Sequence, residues 1–196
     1  MADDEEIKRK AEEEQLAIAN ETGIAADFAP SRLIYNPATG MVIASVERFA
    51  KDAFDRRLFF RHTSERAYRP LESPSPDIHF HDVVTSATHP VIYFAVTRIS
   101  KMPGTGYGGD WLSVERFDLQ QNRTESVFTK ENWRLPEPYA KGWISHLLGV
   151  TLDNSAIICS CGLQGAAGGK VHYWLATVSV VSREVTLLTR LEQVWF

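Results

Sequence analysis

The chain has 196 residues, enough for one ordinary domain or two small ones. Its 44% hydrophobic and 23% charged residues are those of a globular chain, which excludes disorder, collagen-like repeats and coiled coils. No apolar run approaches the roughly 20 residues of a membrane span, the acidic start is no signal peptide, and two cysteines cannot build a secreted disulfide framework. These features predict a soluble, cytoplasmic protein with no membrane partner.

The formal net charge of -4 sits in one place. Residues 1–14 carry seven acids against three bases, so the remaining chain is balanced at 18 of each. A neutral body has no overall attraction for nucleic acid or anionic lipid. Residues 1–27 are expected to form an acidic N-terminal helix and linker. Glu, Lys, Ala, Gln and Leu dominate residues 3–20 without Gly or Pro. The apolar stripe of Ile7, Ala11 and Ile18 is thin, so the helix would be a solvated leader.

Residues 28–196 carry a repeat. Ser31–Val46, His81–Val96 and His146–Cys161 align without a gap over 16 residues. Each has a short apolar strand, a polar turn (Asn36–Gly40, Ser86–Pro90, Thr151–Ser155) and a denser apolar strand. In the second unit a Gly-rich loop, Gly104–Asp110, leads to WLSVERFDL, a turn QQNR and TESVF. In the third, GLQGAAGGK leads to VHYWLATVSVV, a turn SRE and VTLLTRL. The first is cruder, with FAKDAFD, RRLFFRHT and a short tail. The units, about 31–80, 81–145 and 146–196, therefore read as four-stranded antiparallel meanders. An insertion, Asn132–Trp143, precedes the third. The runs MVIASV, VIYFAV and AIICSC are continuously apolar, where a sheet with one wet face would alternate. Such strands are buried on both faces, as when blades stack in a propeller.

The phrases NPATGMVIAS and TLDNSAIICS resemble the strand-turn-strand phrase of TolB-type, WD-like β-propeller blades. RFDLQQNRTESVF is similar to the family's later strand with its Asp-Leu-x-x-Asn turn, whereas SVVSREVTLL lacks the Asp. The resemblance covers residues 31–191 and implies a fold rather than a function. The expected fold is all-β: three blade-like repeats forming a partial β-propeller, with the short N-terminal helix. A β-trefoil is the alternative, since it also has three four-stranded repeats, but its strands would alternate more clearly.

His81 and His146 occupy the same repeat position, at the start of the innermost strand, which the resemblance places near the mouth of the central channel. His79 lies two residues before His81 and so points the same way from an extended strand; Asp82 follows. Imidazole and carboxylate suit a divalent transition metal, so His79, His81 and His146 are candidate ligands, set against structural histidines at strand ends. Cys159 and Cys161 read as small buried hydrophobes, too far apart along one strand for an unstrained disulfide. Gly104, Gly106 and Gly109 satisfy GxGxxG, but a strand follows where a dinucleotide site needs a helix. Arginines interleave with Phe54, Phe59, Phe60 and Tyr68 between Arg48 and Arg69, yet acids dilute them, and no nucleic-acid partner is expected. Tyr107, Trp133 and Trp143 are the aromatics best placed for a carbohydrate or peptide ligand. No nucleophile motif or carboxylate pair stands out.

The expected function is thus a non-catalytic interaction or ligand-binding module without a cofactor. Contacts would come from His81, His146, Tyr107, Trp133 and Trp143. Because a closed propeller takes about four to eight blades, three would be completed by a second copy or another protein partner, unless the chain is a fragment. The alternative is a metal-dependent lyase or hydrolase acting on carbohydrate at the propeller mouth.

Overall fold

The computed structural model describes residues 29–50, 53–102, 106–166 and 168–192; the expected N-terminal helix lies outside them. Twelve strands form three separate four-stranded sheets, each an antiparallel meander in chain order. The first holds β1 (Ala29–Asn36), β2 (Met41–Ala50), β3 (Ala53–His62) and β4 (Arg69–Pro70). The second holds β5 (Ile78–Thr85), β6 (Val91–Met102), β7 (Gly106–Asp118) and β8 (Arg123–Thr129). The third holds β9 (Tyr139–Val150), β10 (Ala156–Gly165), β11 (Gly168–Ser179) and β12 (Val185–Leu191). Only a single 3-10 turn, Lys130–Asn132, is helical among the described residues. The leading strand β5 touches both β1 and β9. The sheets stack as blades of a partial β-propeller; three independent sheets replace the trefoil alternative.

The continuous apolar runs are explained by what lies on each side of them. Along β6, Tyr93 and Ala95 join a core shared with the third sheet, through Leu147, Ile157, Cys159 and Ala176. The intervening Ile92, Phe94 and Val96 join a core shared with the first sheet, through Ile43, Leu58 and Phe60. A middle blade has no wet face, so neither parity of the run Val91–Val96 in β6 can be polar. Burying one such side chain contributes about 1.5–3 kcal/mol, and β6 supplies both interfaces at once. On the first sheet's other face Ala44, Val46, Phe59 and Tyr68 form a smaller cluster.

The three polar turns are built alike, each closed by the side chain that opens it. Asn36 Oδ1 accepts from Thr39 N–H at 3.1 Å, and Ser86 Oγ accepts from His89 N–H at 3.1 Å. Thr151 Oγ1 accepts from Ala156 N–H at 3.0 Å. Gly40 ends the first turn at φ 68, a left-handed conformation that glycine adopts without cost. Asn36 is fully buried, and its amide reaches the second sheet's turn, donating to Thr85 Oγ1 at 2.7 Å and His89 O at 3.0 Å. A stretched Asp-Leu-x-x-Asn turn is visible too: Asp118 Oδ1 accepts from Gln120 and Gln121 N–H, and Asn122 takes φ 51.

The strands run further than the sequence suggests. β7 begins at Gly106 and pairs through Gly108 and Gly109 with Ser100 and Ile99, so most of the Gly104–Asp110 segment is strand, not loop. A Cβ on Gly109 would stand 3.0 Å from Thr97 Cγ2, and glycine there lets β7 pass close. FAKDAFD is not a strand of its own: it carries the end of β2 into β3. β9 begins at Tyr139, because the extended end of β10 supplies partners for it from Gly165 back to Gly162. His146 therefore sits inside β9 rather than at its start, and His81 likewise lies within β5.

Candidate functional site

Bulges decide which side chains meet. On β5 the register passes from His81↔Ala95 to Val84↔Tyr93, leaving one residue too many, and Asp82 takes φ 50. Val83 and Val84 fall on opposite faces, in the cores toward the first and third sheets respectively. On β9 the register slips between Ile144 and His146, and on β7 between Trp111 and Ser113. Bulges bend a strand and re-aim its side chains, and a non-glycine residue at positive φ is held there by its surroundings.

The aimed groups converge on Asp82. His81 Nδ1 donates to Asp82 Oδ2 at 3.1 Å, and His146 Nδ1 lies 3.2 Å from the same oxygen. His81 Nε2 in turn meets Thr97 Oγ1 at 2.6 Å, accepting from the hydroxyl when the proton is on Nδ1. Burial works to raise the Asp82 carboxyl, but hydrogen bonds and charge from His81 and His146 outweigh it and hold it below its ordinary value. The carboxylate thus joins β5 to β9 across two sheets.

Beside this clasp opens a cleft of about 920 Å³ between the second and third sheets. His146 and Thr97 line its base, and Trp111, Trp133, Trp143 and Tyr173 its walls. Trp133 stands edge-on to Trp111, centroids 6.0 Å apart, and to Phe128 at 5.6 Å, an arrangement aromatic rings favour. Trp143 pairs with Gly162 of β10, where a Cβ would come within 2.4 Å of indole Cζ2. The indole therefore rests on glycine backbone, a seat that any other residue would fill. Lys130 Nζ, ion-paired to Asp110 Oδ1, and the exposed Lys141 complete the rim.

Of the residues expected to make contacts, His146, Trp133 and Trp143 line this cleft, and His81 reaches it through Thr97. Tyr107 lies on β7 opposite Lys101, with its side chain outside the described set. His79 is placed apart: it is buried, and its Nδ1 accepts from Arg56 N–H of β3 at 3.1 Å. Among the described residues, no group of three or more His, Cys, Asp or Glu side chains could hold a metal ion. Cys159 and Cys161 are free and fully buried, and burial pushes the Cys161 thiol up to about 12. The arginine-aromatic stretch is spent internally: Phe59 and Phe60 are buried, Arg61 lies over Tyr68, and Arg69 over Phe60. Asp110 and Lys141 lie in the Gly104–Asp110 and Asn132–Trp143 segments, from which contacts were expected, whereas Thr97, Lys130, Ser145 and Tyr173 had no signal in the sequence, because only the pairing of two sheets brings them together.

No family model matches the chain, and no curated protein matches it. Among solved structures, a Hadza microbial sialidase, a β-propeller, superposes on 85% of this chain with a TM-score of 0.50 and 8% sequence identity. The chain spans 38% of that structure's length. At this identity the likeness defines the class of fold, a partial β-propeller. No helix among the described residues is long and apolar enough to cross a membrane.

Proposed function

We propose that the chain is a ligand-binding module whose contact surface is the cleft between the second and third sheets. The observation that carries this reading is the set of indoles, Trp111, Trp133 and Trp143, gathered along one cleft over a hydrogen-bonded polar base. Ligand sites are concave, with aromatic walls and a few fixed polar groups. The histidines serve to hold that base: Asp82 fixes His81 and His146, and with them the relation of β5 to β9. Binding ranks ahead of metal-dependent lyase or hydrolase chemistry because His79, the third ligand such a site would use, is turned to β3. The expected experiment is a thermal-shift screen of sugars and short peptides on the full chain. Stabilising ligands should lose their effect in Trp143→Ala. Ligands indifferent to Trp133→Ala and Trp143→Ala, or metal-dependent turnover lost with His81→Ala, would refute the reading.

Self-association belongs to the same proposal. The face of the third sheet turned from the second carries Ile158 and Leu175, half-buried, while Leu148 and Leu188 are 51% and 53% exposed. Contiguous exposed apolar surface of this kind marks a contact with another protein surface, and a second copy would cover it.

A further inference from the structure

Resting on the binding reading above, we infer that the ligand of the cleft is an uncharged saccharide. The indoles and one ion pair carry the argument, since Trp111 Nε1 and Ser145 Oγ, though without hydrogen-bond partners, are sealed from solvent.

The rim asks for a donor and an acceptor side by side. Lys130 Nζ and Asp110 Oδ1 form one ion pair, presenting an ammonium donor and a carboxylate acceptor side by side. Neighbouring hydroxyls on a pyranose ring match that pattern, one accepting from the ammonium while the next donates to the carboxylate. The walls supply the apolar half. Trp133 and Trp143 are each only partly buried, and the C–H face of a pyranose lies flat on an indole.

Charge decides between sugar classes. Lys130 and Asp110 neutralise each other, and Asp82 sits against His146. Lys141 is exposed at the rim, and no arginine is among the described residues lining the cleft. A carboxylate or phosphate would find no bidentate clamp there. A polyproline peptide would use the indoles, but its tertiary amides have no hydrogen to give Asp110.

The test is a glycan array carrying neutral and acidic oligosaccharides, probed with the labelled full chain beside decaproline binding followed by tryptophan fluorescence. Retention of neutral glycans is expected, weakened about tenfold or more by Trp143→Ala and less by Asp110→Ala, each with a wild-type circular dichroism spectrum. Gly162→Ala, which removes no cleft side chain but pushes Trp143 off its seat, should weaken retention in parallel. Preference for acidic glycans, retention of no glycan, or binding of decaproline alone would overturn the saccharide assignment. Any non-glycan ligand bound in a Trp143-dependent way would leave the binding reading standing. Neutral-glycan retention undiminished by both Trp133→Ala and Trp143→Ala would overturn both.

Discussion

Asn36 and Asp82 show how single polar residues join sheets whose bulk attraction is non-directional. The Asn36 amide is sealed between two turns and donates into the second sheet's turn. Replacing it with alanine removes these donated bonds and those that its Oδ1 accepts from Thr39, and the expected loss is about 1–3 kcal/mol in urea unfolding. Asp82 acts through charge. Its folded-state carboxyl lies below the ordinary value, so its contribution is present above the unfolded carboxylate pKa of about 3.9 and is lost as pH falls through the lowered folded value. The stability gap between wild type and Asp82→Asn should therefore be widest near neutrality and close in acid. A gap that widened in acid would show that the carboxylate is not held ionised by His81 and His146.

At the scale of the element, the strands were legible in the sequence and their bulges were not. The continuous runs around Ile43, Tyr93 and Cys159 report burial on both faces, because a middle blade must satisfy two neighbours. The polar turns at Asn36, Ser86 and Thr151 were legible for a related reason: each closes on its own side chain. No pattern of residues announces the extra residue at Asp82 or the slips beside Ser145 and Leu112, since these depend on pairing with another strand. The same limit placed His146 at a strand start, although β9 had already begun at Tyr139. Trp133 and Trp143, the aromatics expected to make contacts, were singled out from their insertion, but their floor was not. That floor includes Gly162, whose role is visible only with the indole resting on it. Gly162→Ala should shift the tryptophan emission of the free protein while lowering stability modestly, by about 1–3 kcal/mol for an overpacked site. An unchanged spectrum would mean the ring is not seated there. Within β10, Cys159 and Cys161 should resist thiol reagents in the native state and react fully in denaturant.

For the whole molecule, three stacked sheets give one doubly covered blade and two outer ones. The third sheet's outer side, with Leu148 and Leu188 exposed, is the surface a second copy would bury. Light scattering is expected to report a dimer, returned to a monomer by Leu188→Glu; a wild-type monomer at micromolar concentration would remove self-association from the account. The cleft depends on a different interface, the one between the second and third sheets, where bulges bring His81, Asp82 and His146 together beneath the indoles. Hydrogen exchange of the full chain, with and without the best-retained neutral glycan, tests that placement most directly. Protection confined to residues 109–111 and 130–146 is the predicted result. Protection centred instead on the outer face of the third sheet, around Ile158 and Leu188, would contradict it.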